Sequence, residues 1–189
     1  MAEVIVSSNV FRVKRTLLAA FLAVFLLPSH AAAQRRSSDQ TSFCPDGPND
    51  ANLRPVALPK SVFAALLNSK EARKERQYLK EEGQTAELAK AFRGTKISLG
   101  NSQDSFFLVV GSPPISGADN DWFWIVRQSG EKASILLWAG GYCLNVEKTS
   151  NFGLRDLSTT WSSASTTETA NYVYDGKSYK LKKKASHRR

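Results

Sequence analysis

Acid/base chemistry in this chain would fall to carboxylates. Asp104, Asp119, Asp121, Glu147 and Asp156 are the candidates in its central part. Two such groups flanking a scissile bond can serve as acid and base, or as acid and nucleophile. All five, however, read as turn or strand-end residues, where acidic side chains commonly serve solubility. Histidine occurs twice, as His30 and His187, close to the two ends. The central part therefore has no imidazole for a Ser-His-Asp or Cys-His nucleophile, or for a zinc site. A Ser-Lys pair or two carboxylates are the routes left to an enzyme. Asp119-Asn120-Asp121 has calcium-ligand types but not the spacing of a calcium loop, and neither a dinucleotide fingerprint nor a Walker A loop is present. No residue is assigned as catalytic, as a metal ligand or as a cofactor contact.

Cys44 and Cys143 are the two cysteines. In an exported chain an even pair is a candidate disulfide. Closing a loop of about a hundred residues is worth roughly 4–5 kcal/mol in the chain-entropy model. The other conspicuous residues are aromatic. In Trp122-Phe-Trp-Ile-Val126 alternation puts Trp122, Trp124 and Val126 on one strand face and Phe123 and Ile125 on the other. The following run, Ile135-Leu-Leu-Trp138, is also apolar on both faces. Such a hairpin needs cover on both sides. The sheet curling over itself, the Cys44 segment, or another molecule would supply it. Trp122 and Trp124 are the binding candidates under the last option, with a protein partner or a second copy as occupant. Ser158 to Thr169 is rich in hydroxyls and offers hydrogen bonds to a sugar or a peptide, or forms an exposed strand and loop.

The elements that would hold these residues begin after a distinctive start. Arg12-Val-Lys-Arg15 is basic, Thr16 to Leu27 is an apolar run of twelve, and Ala31-Ala-Ala33 is small. That order is the layout of an export signal, cut near Ala33-Gln34. The run is shorter than the roughly twenty residues that span a bilayer, so no transmembrane span is expected after cleavage. Residues 1–33 read as signal, 34–58 as a leader segment, 59–182 as a single domain and 183–189 as a basic tail. A helix is expected from Pro59-Lys-Ser61, with Ser61 as N-cap and Val62, Phe63, Leu66 and Leu67 on its apolar face, ending at Gly83. A shorter helix capped by Thr85 follows, closed by Gly94. Strands are expected at 96–99, 106–110, 122–127, 133–138, 142–146, 154–161, 170–174 and 177–181. Asp175-Gly176 reads as a two-residue turn with positive φ at both positions, pairing Tyr174 with Lys177. Helices followed by consecutive hairpins predict an α+β fold, with N-terminal helices packed on one mainly antiparallel sheet.

The formal charge of +9 is unevenly placed. Between Ser37 and Tyr179 there are 15 basic and 16 acidic residues, whereas six basic residues lie in the last ten positions. The body is close to neutral. With no accompanying helix-turn-helix, zinc-finger or aromatic RNA-binding pattern, specific nucleic-acid binding is not expected.

Gly153, Arg155, Asp156 and Leu157 form a Gly-x-Arg-Asp-Leu element, and Tyr172-Val-Tyr-Asp-Gly-Lys-Ser-Tyr179 follows. In these two elements, and in Trp122-Phe-Trp-Ile-Val126, the chain resembles a loose group of uncharacterised exported bacterial proteins over roughly Phe106 to Lys182. The resemblance implies a shared fold and export. It carries over no catalytic residue. The sequence thus predicts a periplasmic or secreted, non-enzymatic binding or inhibitory module of the bacterial envelope. A carboxylate-based hydrolase of cell-wall or sugar substrates and a structural envelope protein are the alternatives.

Overall fold

The computed structural model describes residues 42–45, 53–82, 88, 90–113, 115 and 121–188. In chain order the elements are β1 (Ser42–Phe43), β2 (Pro55–Val56), α1 (Lys60–Leu67), α2 (Lys70–Glu81), β3 (Phe92–Ile97), β4 (Ser105–Gly111), β5 (Asp121–Ser129), β6 (Lys132–Gly141), β7 (Cys143–Asn151), β8 (Leu154–Ser162), β9 (Thr166–Tyr174) and β10 (Tyr179–Arg188). They build two five-stranded sheets, ordered β1-β7-β8-β9-β10 and β2-β3-β4-β5-β6. Neighbours in both are antiparallel.

This corrects the expected α+β class. The chain is mostly β, in two antiparallel sheets, not one sheet with N-terminal helices packed on it. The reason lies at Gly140-Gly141-Tyr142, which reads as one more hairpin turn. Tyr142 alone separates β6 from β7, and it carries the chain from one sheet to the other. Gly141 passes so close to β8 that a Cβ there would sit 3.1 Å from both the Thr159 Cβ and the Thr160 carbonyl oxygen. Glycine permits that approach, and the Tyr142 N–H fixes it by donating to the Thr160 carbonyl at 2.7 Å.

The two sheets answer the question of cover. Phe123 and Ile125 of β5 join Phe106, Leu108 and Val110 of β4 in a core shared with Leu144, Val146, Leu154 and Leu157 of the other sheet. Phe43 of the leader is part of the same core. Trp124 and Val126, on the opposite face of β5, pack with Phe107, Val109, Phe92 and helix residues Val62, Leu66, Ala72 and Leu79. A register shift at Ile125/Val126 leaves Leu136 without a partner of its own in β5. Both Leu136 and Leu137 then enter the inter-sheet core, which strict alternation forbids.

The N-terminal part departs from expectation in detail. The helix begins at Lys60 with Pro59 at its N-cap, and Ser61 lies inside the first turn, where it is 3.4 Å from the Gln128 amide nitrogen. The charged continuation is a separate helix, because Ser69 Oγ accepts the Ala72 N–H at 3.1 Å and starts α2 anew. Phe92 and Gly94 belong to β3, not to a helix. Gly83 and Thr85 lie outside the described residues, as do residues 1–33 and Asp119. The leader supplies an edge strand to each sheet, β1 on β7 and β2 on β3. Cys44 and Cys143 form a disulfide that fastens the first of these. At the other end, the residues read as a basic tail continue β10 to Arg188, paired to Thr166.

Candidate ligand-binding cleft

The Gly153–Leu157 and Tyr172–Tyr179 elements turn out to be structural fastenings. Asn151 pairs with Leu154 across a two-residue turn, Phe152-Gly153, whose φ values are 46° and 81°. Positive φ at both central positions is what a tight hairpin needs. A few residues on, the β7–β8 register shifts between Val146 and Ser150. Arg155 fills that bulge, with Nε donating to the Glu147 carbonyl at 2.6 Å and a terminal nitrogen to the Val146 carbonyl at 3.2 Å. Asp156 is buried and accepts from Thr149 Oγ1 at 2.7 Å and from Asn151 Nδ2 at 2.7 and 2.9 Å. Glu147 accepts the Ser158 hydroxyl at 2.6 Å. Tyr179 donates to the Arg155 carbonyl at 2.7 Å. Burial, helped by the Asp156 charge and by Tyr174, raises the Tyr179 phenol well above its ordinary pKa, so it remains a donor.

The last hairpin corrects the two-residue turn. Tyr174 pairs with Tyr179, not Lys177, leaving a four-residue loop. Gly176 alone in that loop has positive φ, 93°. The Asp175 carboxylate closes it by accepting the N–H groups of Ser178 at 2.7 Å and Lys177 at 2.8 Å. Those two bonds, with the Lys180 charge, hold its pKa below the ordinary value.

The four acidic candidates among the described residues, Asp104, Asp121, Glu147 and Asp156, are accordingly not gathered at one site. Asp156 and Glu147 serve the β7–β8 bulge, and Asp104 lies 4.0 Å from Arg127. Asp121 opens β5 opposite Gly141. Among the described residues no cluster of three or more His, Cys, Asp or Glu is placed to hold a metal ion.

The arrangement that can bind something lies elsewhere, where the inner face of β8-β9-β10 runs past the first residues of β5 and the last of β6. Register sets its floor. Tyr172 pairs with both Leu157 and Leu181, and Ala170 with both Thr159 and Lys184. Trp161 pairs with Glu168 in the next row. The first row begins in the core at Leu157, and the later rows carry the same face outward. A shift between Leu181 and Lys183 brings Lys184, not Lys183, opposite Ala170. The other wall is Trp122 with its cross-strand partner Gly140. Together these residues, Leu157 excepted, line a cleft of about 610 Å³. Trp138 backs it, with its ring stacked on Trp122 at 4.5 Å between centroids and 9° between planes. Glu168 and Lys184 form an ion pair at 2.6 Å. The hydrogen bond and charge of Glu168 raise the Lys184 pKa above its ordinary value.

Of the two tryptophans singled out by sequence, Trp122 lines the cleft. Trp124 is fully buried against Phe92, 5.6 Å away edge to face, and presents no surface to a ligand. Sequence reasoning missed Trp161, Glu168, Tyr172 and Lys184 as site residues. The one available signal was alternation, which puts Ala170 and Tyr172 on the same face. Of the hydroxyl-rich stretch, Thr159 reaches the cleft, while Ser163 and Thr166 are taken up by bonding one another across the β8–β9 turn at 2.7 Å.

Comparisons with protein-family models, with curated proteins and with solved structures find no match.

Proposed function

We propose that the chain is an exported, non-enzymatic binding module, and that the cleft walled by Trp122, Trp161 and Tyr172 is where its ligand sits. The cleft itself carries the reading. Its volume lies within the range of about 300–1,000 Å³ usual for small-ligand sites. Aromatic walls with a few convergent polar groups are the composition such sites use. The disulfide fits an oxidising compartment, in keeping with the basic, apolar and small order of residues 12–33. No helix among the described residues is long and apolar enough to cross a membrane.

A carboxylate-based hydrolase receives less support. A two-carboxylate site needs a second acid within about 5–9.5 Å of the first. Glu168 is the one carboxylate among the described residues lining the cleft, and it is already paired with Lys184.

Intrinsic fluorescence tests the proposal, because three of the four tryptophans line the cleft or stack behind it. A screen of small soluble compounds against the mature protein should yield ligands that change the emission saturably. Those changes should disappear in Trp161→Ala while the variant's unfolding stays cooperative. Ligands that act equally on wild type and on Trp161→Ala would place binding elsewhere and refute the proposal.

A further inference from the structure

Building on the cleft as the binding site, we infer that its ligand is a neutral saccharide. The cleft's chemistry disfavours anions, cations and alkyl chains in turn. Its titratable lining groups are Glu168, Lys184 and the Tyr172 phenol. Glu168 and Lys184 cancel in charge at 2.6 Å. An anion would meet the carboxylate and a cation the ammonium, so neither gains a net Coulombic attraction. An alkyl chain would return no hydrogen bonds to the ion pair. A neutral polyol suits both halves. Its hydroxyls donate to the Glu168 carboxylate and accept from the Lys184 ammonium, with the Thr159 hydroxyl able to do either. The C–H face of a pyranose ring is apolar and suits a lining that includes Trp122, Trp161 and Tyr172. The cleft is also open. Leu181 on its rim is 58 % exposed, so a chain of sugars can lie across it with its ends in solvent.

Gly140 allows a test that spares the fold. A Cβ there would meet nothing closer than 3.9 Å, from the Asp121 carbonyl oxygen and the Trp122 ring. The first atom of a side chain is therefore accommodated at this lining position, and Gly140→Leu adds bulk beside the Trp122 ring. Cellohexaose, chitohexaose, xylohexaose and maltohexaose are the probes, read by tryptophan emission and by calorimetry on the disulfide-intact mature protein. Tetramethylammonium and octanoate are the charged and aliphatic controls. At least one oligosaccharide should bind saturably, and its affinity should fall about tenfold or more in both Gly140→Leu and Trp161→Ala. Failure of all four sugars to bind overturns the inference. If octanoate or tetramethylammonium then binds wild type but not Gly140→Leu, the cleft remains the site and its ligand class is wrong. If no probe distinguishes wild type from Gly140→Leu, the cleft reading falls as well. Sugar binding that survives both substitutions also overturns the inference.

Discussion

Replacing Asp156 separates a fastening from a catalytic group. Its carboxylate accepts three bonds of 2.7–2.9 Å from two side chains, Thr149 and Asn151. Each hydrogen bond to a charged acceptor is worth about 1.5–3 kcal/mol. Thr149 and Asn151 are themselves exposed, so in Asp156→Ala their freed donors turn partly to water. The net cost should be about 2 kcal/mol, below the roughly 3 kcal/mol that two donors at the low end would give. For a chain of this size that lowers Tm by about 4–8 °C. Asp156→Asn keeps one acceptor oxygen but turns a donor toward a donor, and should cost about half as much. Thermal unfolding of the oxidised protein, followed by near-ultraviolet circular dichroism, measures both. The expected order is wild type, Asn, Ala. An unchanged Tm in Asp156→Ala would refute the structural role. An unchanged Tm combined with loss of a hydrolytic activity would restore Asp156 to catalysis.

Three other outcomes follow from the same geometry. The double substitution Cys44→Ser, Cys143→Ser should lower stability by up to about 4–5 kcal/mol in denaturant titrations, and alkylation of unreduced, denatured wild type should label no thiol. Gly153→Val should cost roughly 1–3 kcal/mol because a β-branched residue resists positive φ. Gly153→Asn should cost much less, because asparagine tolerates positive φ and a Cβ there meets nothing within 4 Å; equal melting temperatures for the two would contradict the turn. The depressed pKa of Asp175 means that its contribution is complete above the ordinary value of 3.8 and is lost as pH falls through the lower folded value. NMR titration of the Lys177 and Ser178 amides should report that lower midpoint, and a midpoint at or above the ordinary value would show that the loop is not closed by this carboxylate.

The strands from β4 onward are legible because alternation and turn residues mark them locally, and the cysteine pair is legible by parity and context. What is not legible depends on distance or on a single inserted residue. β1 and β2 have two residues each and exist only because another strand's edge receives them. The run Lys180 to Arg188 carries the composition of a solvated tail, yet lysine is also what an exposed edge strand uses to repel further pairing. Lys184 enters the cleft through a bulge that no periodicity announces. Trp122 and Trp124 share a face, so alternation treats them alike. Their fates differ because Trp124 lies under the helices, while Trp122 stands near the strand's start, where that cover ends and the cleft begins.

The disulfide also has a bearing on cleavage. Cys44 precedes β2 and Cys143 opens β7, so the bond brackets α1, α2 and every described strand of the β2–β6 sheet. A protease cutting any connection inside that bracket leaves two fragments covalently joined. The nicked molecule would run at full size without reductant and as two pieces with it. A cut in the β8–β9 or β9–β10 turn lies outside the bracket and would release a separate C-terminal piece once the sheets unfold. Paired gels with and without reductant would therefore show which side of Cys143 a nick falls on.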